Sequence, residues 1–223
     1  MTSRNSYIIF LNNRYHKRDF DFYRKLLRGK VTVAADGGVK FFLKNKIKPD
    51  ILIGDFDSAP RLSADYKKGI EIIAYPERKN KTDSQLAVEL AIERGAKAID
   101  LAGALSVSEI DHTLSNILIL KLIKDMAHRK KRRVDVRIIS PTTKIILLEN
   151  ETMVIDGNKG DYFSVIPLSG GAGIEYEGMS YPAPAGNLIL GDSLPLRNRL
   201  LKKRTEVTAR GTMLVVVTSG AKN

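Results

Sequence analysis

The sequence predicts an α/β protein: an amino-terminal α/β domain with an open parallel sheet, followed by a carboxy-terminal all-β sandwich. From residue 6 to about 140, short apolar runs alternate with helical patterns, as in parallel strands joined by crossover helices. Beyond Pro141 no convincing helical pattern is found, and strand-like runs are separated by turn residues. We therefore predict two domains, over residues 1–140 and 144–223.

Five strands and four helices are predicted in the first domain. The strands are YIIFLN (7–12), VTVAAD (31–36), DILIGD (50–55), AIDLAG (98–103) and VDVRIIS (134–140). The helices are DFDFYRKLLRGK, GGVKFFLKNK, TDSQLAVELAIERG and DHTLSNILILKLIKDMAHRK. The clearest is the third, in which Leu86, Leu90 and Ala91 share a face, Thr82 or Asp83 can cap the start, and Gly95 ends the helix.

The second domain shows strand-like segments only. KIILLENETMVIDGNKGDYFSVIPLSG contains the turn signals Glu149-Asn150 and Asp156-Gly157-Asn158. The last run, TEVTARGTMLVVVTS, is typical of a hairpin around Gly211. A small sandwich of two sheets is the architecture expected.

The composition excludes several classes of function. The chain has no cysteine, which rules out disulfides, thiolate catalysis and zinc–sulfur sites. No apolar run approaches the ~18 residues of a membrane span, and the apolar segment near the amino terminus is too short for a signal peptide. We expect a cytoplasmic protein.

The net charge of +12 favours anionic partners, either nucleic acid or phosphorylated small molecules. The densest basic run, HRKKRR at 128–133, follows a helical pattern and has no interleaved aromatic residue for base stacking. It is typical of a solvated helix end, where basic side chains complement the helix dipole. This interpretation disfavours nucleic acid as the partner.

Acidic residues collect where the predicted parallel strands end. Asp36 precedes Gly37, whose missing side chain lets backbone amides approach an anion, and Asp55 and Asp57 follow the third strand. Asp83 and Asp111 begin helices, where each alone is more often a helix cap than a ligand. Capping does not explain several carboxylates meeting at one edge of a sheet, because they would repel one another without a cation.

Oxygen ligands without cysteine favour Mg²⁺, which is commonly held by a few carboxylates together with substrate phosphates. Lys79, Lys81 and Thr82 lie beside Asp83 and can supply positive charge and donors to the same phosphates. The lysines can equally be solvated loop residues.

Five segments resemble, in order and spacing, the thiamine pyrophosphokinases. They are ADGG (35–38), KPDILIGDFDS (48–58), KNKTD (79–83), DHTLSN (111–116) and GDYFSVIPLS (160–169). The resemblance implies transfer of a diphosphate from ATP to the hydroxyethyl group of thiamine, with Mg²⁺, in a homodimer whose active sites lie at the subunit interface.

The resemblance also implies roles for single residues. Metal ligands would be Asp55, Asp57 and Asp83, and Asp111 would join them in the catalytic set. The phosphates and the acceptor would be bound by Asp36, Gly37, Lys79, Lys81, Thr82 and Asn198. Asp83 or Asp111 would accept the proton of the hydroxyl group.

The chain departs from the family pattern near the acceptor. Glu109 stands where the family has an arginine, and Arg197 replaces the serine that precedes Asn198. Asn80 replaces an acid in the loop before Thr82. The main hypothesis is a thiamine pyrophosphokinase. The alternatives are a diphosphotransferase for another hydroxymethyl heterocycle, such as a pterin alcohol, and a catalytically impaired nucleotide-binding homologue.

Overall fold

A computed structural model of the chain describes residues 5–78 and 80–220. It divides into two compact units, the first ending at Pro141 and the second beginning at Thr142. Within the described residues, no helix is long and apolar enough to cross a membrane.

Unit 1 alternates strands and helices. Its strands are β1 (Ser6–Phe10), β2 (Val31–Ala35), β3 (Ile51–Gly54), β4 (Glu71–Ala74), β5 (Ala98–Ala102) and β6 (Asp135–Ile139). Its α-helices are α1 (Phe20–Leu27), α2 (Val39–Lys44), α3 (Ala64–Lys67), α4 (Asp83–Glu93) and α5 (Ile110–Arg129). Short 3₁₀ turns occupy Lys17–Asp19 and Asp36–Gly38.

The strands of unit 1 form a parallel sheet in the order β6-β5-β1-β2-β3-β4. From β1 the chain builds outward through β2, β3 and β4, and then returns to place β5 on the other side of β1. The strand order therefore reverses beside β1, and in open α/β sheets this is where ligands bind, at the carboxyl ends of the strands. The predicted parallel α/β domain is confirmed.

Strand β4 is absent from the sequence prediction. It is four residues long, lies at the edge of the sheet and is mostly exposed, with Ile72 at 39%. A strand this short and this exposed carries little of the apolar pattern by which buried strands are found.

Helix α4 confirms the capping prediction, because the Thr82 hydroxyl oxygen accepts a hydrogen bond from the Gln85 amide at 3.3 Å. The basic run at 128–133 is also as predicted. Helix α5 ends at Arg129, and every residue of the run is exposed.

Unit 2 is a sandwich of two antiparallel sheets. Its strands are β7 (Thr143–Glu149), β8 (Thr152–Asp156), β9 (Tyr162–Pro167), β10 (Gly173–Tyr176), β11 (Asn198–Arg199), β12 (Arg204–Arg210) and β13 (Thr212–Thr218). One sheet has the order β11-β9-β13-β7 and the other β10-β12-β8. Their inner faces share an apolar core that includes Phe163, Val207 and Val215. The predicted all-β sandwich is confirmed.

The predicted hairpin around Gly211 is wrong. Strand β12 pairs with β8 and β10, whereas β13 pairs with β7 and β9, so the chain changes sheets at Gly211. Gly211 has φ of +79°, and its amide donates to the Asn150 side chain at 2.7 Å. Two strands joined by one tight turn look alike in sequence whether they pair or cross a sandwich.

The core of unit 1 is aromatic on one side of β1. Phe10 stacks on Phe41 with ring centroids 4.2 Å apart, and Tyr15 and Tyr23 meet edge to face at 5.4 Å. The Tyr15 hydroxyl donates to the carbonyl oxygens of Leu11 at 2.8 Å and Ala102 at 3.1 Å. Because this hydroxyl bonds the residues that follow β1 and end β5, it holds the two strand ends in place beside the site.

Because of these buried tyrosines, we expect the free energy of unfolding to fall at alkaline pH. Burial raises the pKa of Tyr23 from 10.0 to about 12, and burial also raises the pKa of Tyr15 well above its ordinary value. The folded protein thus favours the neutral phenols. Their stabilising contribution is complete below the unfolded pKa, near 10, and is lost as the pH rises through the folded pKa.

Denaturant unfolding at pH values between the unfolded and folded pKa should show a free energy of unfolding that falls as the pH rises. The absorbance of tyrosinate should appear at a higher pH in the folded protein than in the unfolded protein. Tyr23→Phe should make the free energy of unfolding less dependent on pH in this range. Ionisation of every tyrosine at its ordinary pKa in a protein with native circular dichroism would contradict the prediction.

Candidate active site

Asp36 lies at the carboxyl end of β2 in an unusual backbone conformation. Its φ is +45°, a left-handed value that few residues other than glycine adopt, although aspartate tolerates it. The residue is only 6% exposed, and its Oδ1 is buried with no hydrogen-bond donor among the described residues. A buried carboxylate oxygen without a donor is costly unless a cation binds it.

Asp55 and Asp57 follow β3 and are separated by Phe56, whose φ of +68° is also left-handed. The Phe56 side chain packs against the apolar core. One carboxylate oxygen from each of Asp36, Asp55 and Asp57 lies within 4.8 Å of the others. These three residues form the acid cluster, a grouping able to hold one metal ion.

Asp83 approaches the acid cluster across Gly54. Gly54 has φ of +144°, and a Cβ added there would lie 3.1 Å from Asp83 Oδ1 and 3.2 Å from the Cβ of Asp36. The lack of a side chain at the end of β3 is therefore what lets α4 bring its first residue so close to Asp36. Gly38 allows a similar approach, because its added Cβ would lie 1.9 Å from the Phe10 carbonyl oxygen.

A cavity of about 290 Å³ opens beside these carboxylates, and its wall includes Asp36, Asp57 and Asp83. Polar residues from the ends of β1 and β5 and from the starts of α4 and α5 complete it: Asn12, Thr82, Ser106, Glu109, His112, Thr113 and Asn116. This site joins the residues that follow four separate strands. It is acidic and large enough for part of a small-molecule substrate.

The other predicted residues have different surroundings. Gly37 packs against Asn12, whose Oδ1 would lie 2.2 Å from an added Cβ. Lys81 forms an ion pair with Glu89 at 2.7 Å, and this hydrogen bond raises the Lys81 pKa. Asp111 is exposed, and its carboxylate accepts the His112 amide at 2.9 Å instead of lining the cavity. Lys79 lies outside the described residues.

Asn198 belongs to unit 2, where it is 4% exposed. Its Nδ2 donates to the Tyr176 hydroxyl at 3.1 Å and to the Tyr181 carbonyl oxygen at 2.9 Å. Its Oδ1 accepts the amides of Tyr181 at 3.0 Å and Arg199 at 2.8 Å. All four hydrogen bonds join residues of its own unit, and the expected contact with a ligand stays a prediction.

Two of the departures from the family pattern, Glu109 and Arg197, differ in their placement. Glu109 lines the acidic cavity, directly before α5. Arg197 is exposed in unit 2, and its guanidinium stacks on the Tyr162 ring at 3.8 Å from the centroid. A cation held on an aromatic face in this way is stabilised by its own unit.

Several cavity residues were not predicted from the sequence. Thr113 Oγ1 donates to the Ser106 carbonyl oxygen at 2.7 Å and accepts the Ser106 amide at 2.8 Å. Asn116 Nδ2 donates to the Ala104 carbonyl oxygen at 3.2 Å. Positions 113 and 116 share a helix face and hold the loop after β5 against α5. Thr113 and Asn116 could have been found from their place in DHTLSN, and Asn12 from its polar side chain at the end of the predicted strand 7–12.

The donor set fits Mg²⁺. The acid cluster supplies only carboxylate oxygens, they lie close enough to share one ion, and Asp36 Oδ1 has no donor among the described residues. The family resemblance implied Asp55, Asp57 and Asp83 as the metal ligands. The geometry adds Asp36 to the first two, with Asp83 on the other side of Gly54.

Comparison with known families decides the assignment. The model described as "Thiamin pyrophosphokinase, catalytic domain" matches residues 23–133, about half of the chain, including the acid cluster and Asp83. The chain belongs to the thiamine pyrophosphokinase family. Membership of this family indicates an ATP-dependent thiamine diphosphokinase. No curated protein matches the sequence.

Solved structures of the family share the fold over nearly the whole chain. Thiamine pyrophosphokinase from Bacillus subtilis has a TM-score of 0.79 at 21% identity, covering 96% of this chain and 99% of its own. The Geobacillus thermodenitrificans protein has a TM-score of 0.74 at 23% identity, with 97% and 98% covered. The Candida albicans protein has a TM-score of 0.76 at 15% identity, with 96% and 89% covered.

Proposed function

We propose that this thiamine pyrophosphokinase transfers the diphosphate of ATP to the hydroxyl of thiamine, with Mg²⁺ held by Asp36, Asp55 and Asp57. The acid cluster is the observation that supports this most directly, since its three carboxylates meet beside a cavity of substrate size. Bound Mg²⁺ would neutralise phosphate charge and orient the transferring group. The rest of the catalysis is positioning by the chain's own residues.

The proposed reaction requires a group that accepts the proton of the thiamine hydroxyl. The thiamine hydroxyl oxygen bonds to the β-phosphorus of ATP, the bond between that phosphorus and the bridging α–β oxygen breaks, and AMP leaves. The hydroxyl proton passes to a base. Asp83 lines the cavity beside the acid cluster, whereas Asp111 does not line it, so we assign proton acceptance to Asp83.

Glu109 supports thiamine as the acceptor. Thiamine carries a cationic thiazolium ring, and Glu109 adds a carboxylate of complementary charge to the wall of the cavity. Arg197, which would repel that ring, is held on Tyr162 in unit 2. The charges of the described wall therefore favour a cationic alcohol over a neutral one.

We further propose a homodimer. Ile110, Leu114 and Leu118 recur at every fourth position of α5 and are 55%, 56% and 58% exposed, forming an apolar stripe that begins beside Glu109. A stripe of this kind is stabilised when a second copy covers it. Light scattering on the purified protein distinguishes monomer from dimer.

The test of the function is direct. The purified protein is incubated with ATP, Mg²⁺ and thiamine, and AMP and thiamine diphosphate are measured together, with Asp83→Asn as the inactive control. Equal amounts of both products from the parent, lost in the variant and in chelator, are expected. Thiamine-independent AMP release, or AMP formed only with another alcohol such as a pterin alcohol, would overturn thiamine as the acceptor. No AMP under any condition would favour a nucleotide-binding homologue.

A further inference from the structure

A second cavity lies in unit 1, on the other side of the loop that holds Asp55 and Asp57. Its volume is about 310 Å³, close to that of the acidic cavity. It opens beside the edge strand β4 and is lined by apolar side chains from β3, the following loop and β4: Leu52, Phe56, Ala59, Leu62 and Ile72. The reaction proposed above uses none of these side chains.

The charge of this second cavity is opposite to that of the first. Arg61 and Lys67 lie in its wall, and none of the acidic residues that the structure describes does. Within the described part of the chain, neither side chain forms an ion pair or a hydrogen bond with another residue. The nearby acids have other partners, since Asp65 pairs with Lys68 at 2.7 Å and Glu71 pairs with Arg94 at 2.5 Å.

We propose that this cavity binds a small amphipathic anion, an apolar or aromatic body that carries one carboxylate or phosphate. The apolar lining buries the body, and its volume falls within the ~300–1,000 Å³ range of ligand pockets. Two cations lie at the wall, and the nearby acids Asp65 and Glu71 are paired with other cations, so the wall favours a negative head group. The chemistry is complementary to an anion and unfavourable for Mg²⁺ or a thiazolium.

Phe56 connects the two cavities. Its ring lines the apolar cavity while the residues on either side of it, Asp55 and Asp57, belong to the acid cluster. The ring and the two carboxylates therefore belong to three consecutive residues of one short segment, in which Phe56 has a left-handed φ of +68°. An occupant packed on the ring therefore restricts the segment that would hold Mg²⁺, and we infer that the two ligands are coupled.

Binding is tested with 4-phenylbutyrate, using 4-phenylbutanamide as its uncharged match, by methyl NMR of Ile72, Leu52 and Leu62. We expect saturable shifts at these methyl groups, with the acid binding about tenfold more tightly than the amide. The Arg61→Gln/Lys67→Gln variant should bind both compounds equally weakly, and Lys68→Gln, which alters a lysine outside the cavity, should behave as the parent.

A second variant keeps the test independent of charge. Ala59→Phe fills the cavity and should abolish the shifts in a protein that still unfolds cooperatively. Absence of saturable shifts in the parent would overturn the site. Equal affinity for acid and amide would overturn its selectivity for anions.

The coupling, unlike the binding, rests on the proposed function of the acid cluster. The protein is titrated with Mg²⁺ with and without saturating 4-phenylbutyrate. The Mg²⁺ concentration at half-saturation should differ by about fivefold or more between the two titrations. An unchanged midpoint in a protein that binds both would overturn the coupling. If Mg²⁺ does not bind even without the probe, the proposed function fails while the anion site stands.

Discussion

Asp55→Asn should lower kcat/KM for thiamine diphosphate formation by about 10²–10³-fold, a loss typical of removing one electrostatic contributor to a transition state. The substitution keeps the size of the side chain and removes one of the three charges in the acid cluster. It should also raise the Mg²⁺ concentration needed for half-maximal activity. Steady-state kinetics over a range of Mg²⁺ concentrations measures both effects.

Stability should change in the opposite direction. Without Mg²⁺, three carboxylates with oxygens within 4.8 Å of one another repel, so neutralising Asp55 should leave the protein at least as stable as the parent. Added Mg²⁺ should raise the melting temperature of the parent and have little effect on the variant, because an ion that binds only the folded state stabilises it.

Asp65→Asn is the matched control, since Asp65 is an exposed aspartate in unit 1 that pairs with Lys68. It should alter neither kcat/KM nor the response to Mg²⁺. If Asp55→Asn retained activity within about threefold of the parent, the loss expected from an electrostatic contributor would be missing and the assignment of the acid cluster would fail.

The sequence predicted the edge of the sheet at which the candidate site lies, for a simple reason. A buried strand is recognisable by its apolar run, and a polar residue that follows one must emerge at the carboxyl edge. Asp36, Asp55 and Asp57 were found in this way. Their convergence then follows from the neighbouring positions of β2 and β3 in a parallel sheet.

Which of the acidic residues at that edge share the acid cluster could not be predicted from the sequence. Asp83 and Asp36 both lie close to Gly54, and only the backbone direction at Gly54, with φ of +144°, decides which acids share the cluster. Any glycine can adopt such a φ, and the neighbouring residues in the sequence do not predict which glycine does so. The internal hydrogen bonds of Asn198 could not be predicted for a similar reason, because their partners depend on how the chain runs from the end of β10 at Tyr176 to Tyr181.

Asp100 is another residue whose role only the fold reveals. It lies within β5, is 3% exposed, and forms ion pairs with Lys30 and with Arg137, the latter at 2.5 Å. These partners are 70 and 37 residues away in the sequence. An aspartate inside an apolar strand raises the question of how its charge is compensated, but the sequence does not say which cations meet it.

Asp100→Asn should lower the free energy of unfolding by about 3 kcal/mol, since breaking a buried ion pair leaves an uncompensated charge. The Lys30 side chain is only 17% exposed and carries most of this cost. Arg137, at 41%, is partly screened by solvent and contributes less. Urea unfolding measures the loss, and Asp65→Asn should change the free energy by less than about 1 kcal/mol.

A triple variant separates two contributions to stability: the gain from the ion pairs themselves and the cost of leaving a buried charge without its partner. Lys30→Met/Asp100→Leu/Arg137→Met removes all three charges and fills the space with apolar side chains, so most of the lost stability should return. None of the three positions belongs to the acid cluster or lines the acidic cavity, so Mg²⁺-dependent activity should return with the fold. If Asp100→Asn were as stable as the parent, Lys30 would have to be solvated in the folded state, contrary to its burial against Asp100.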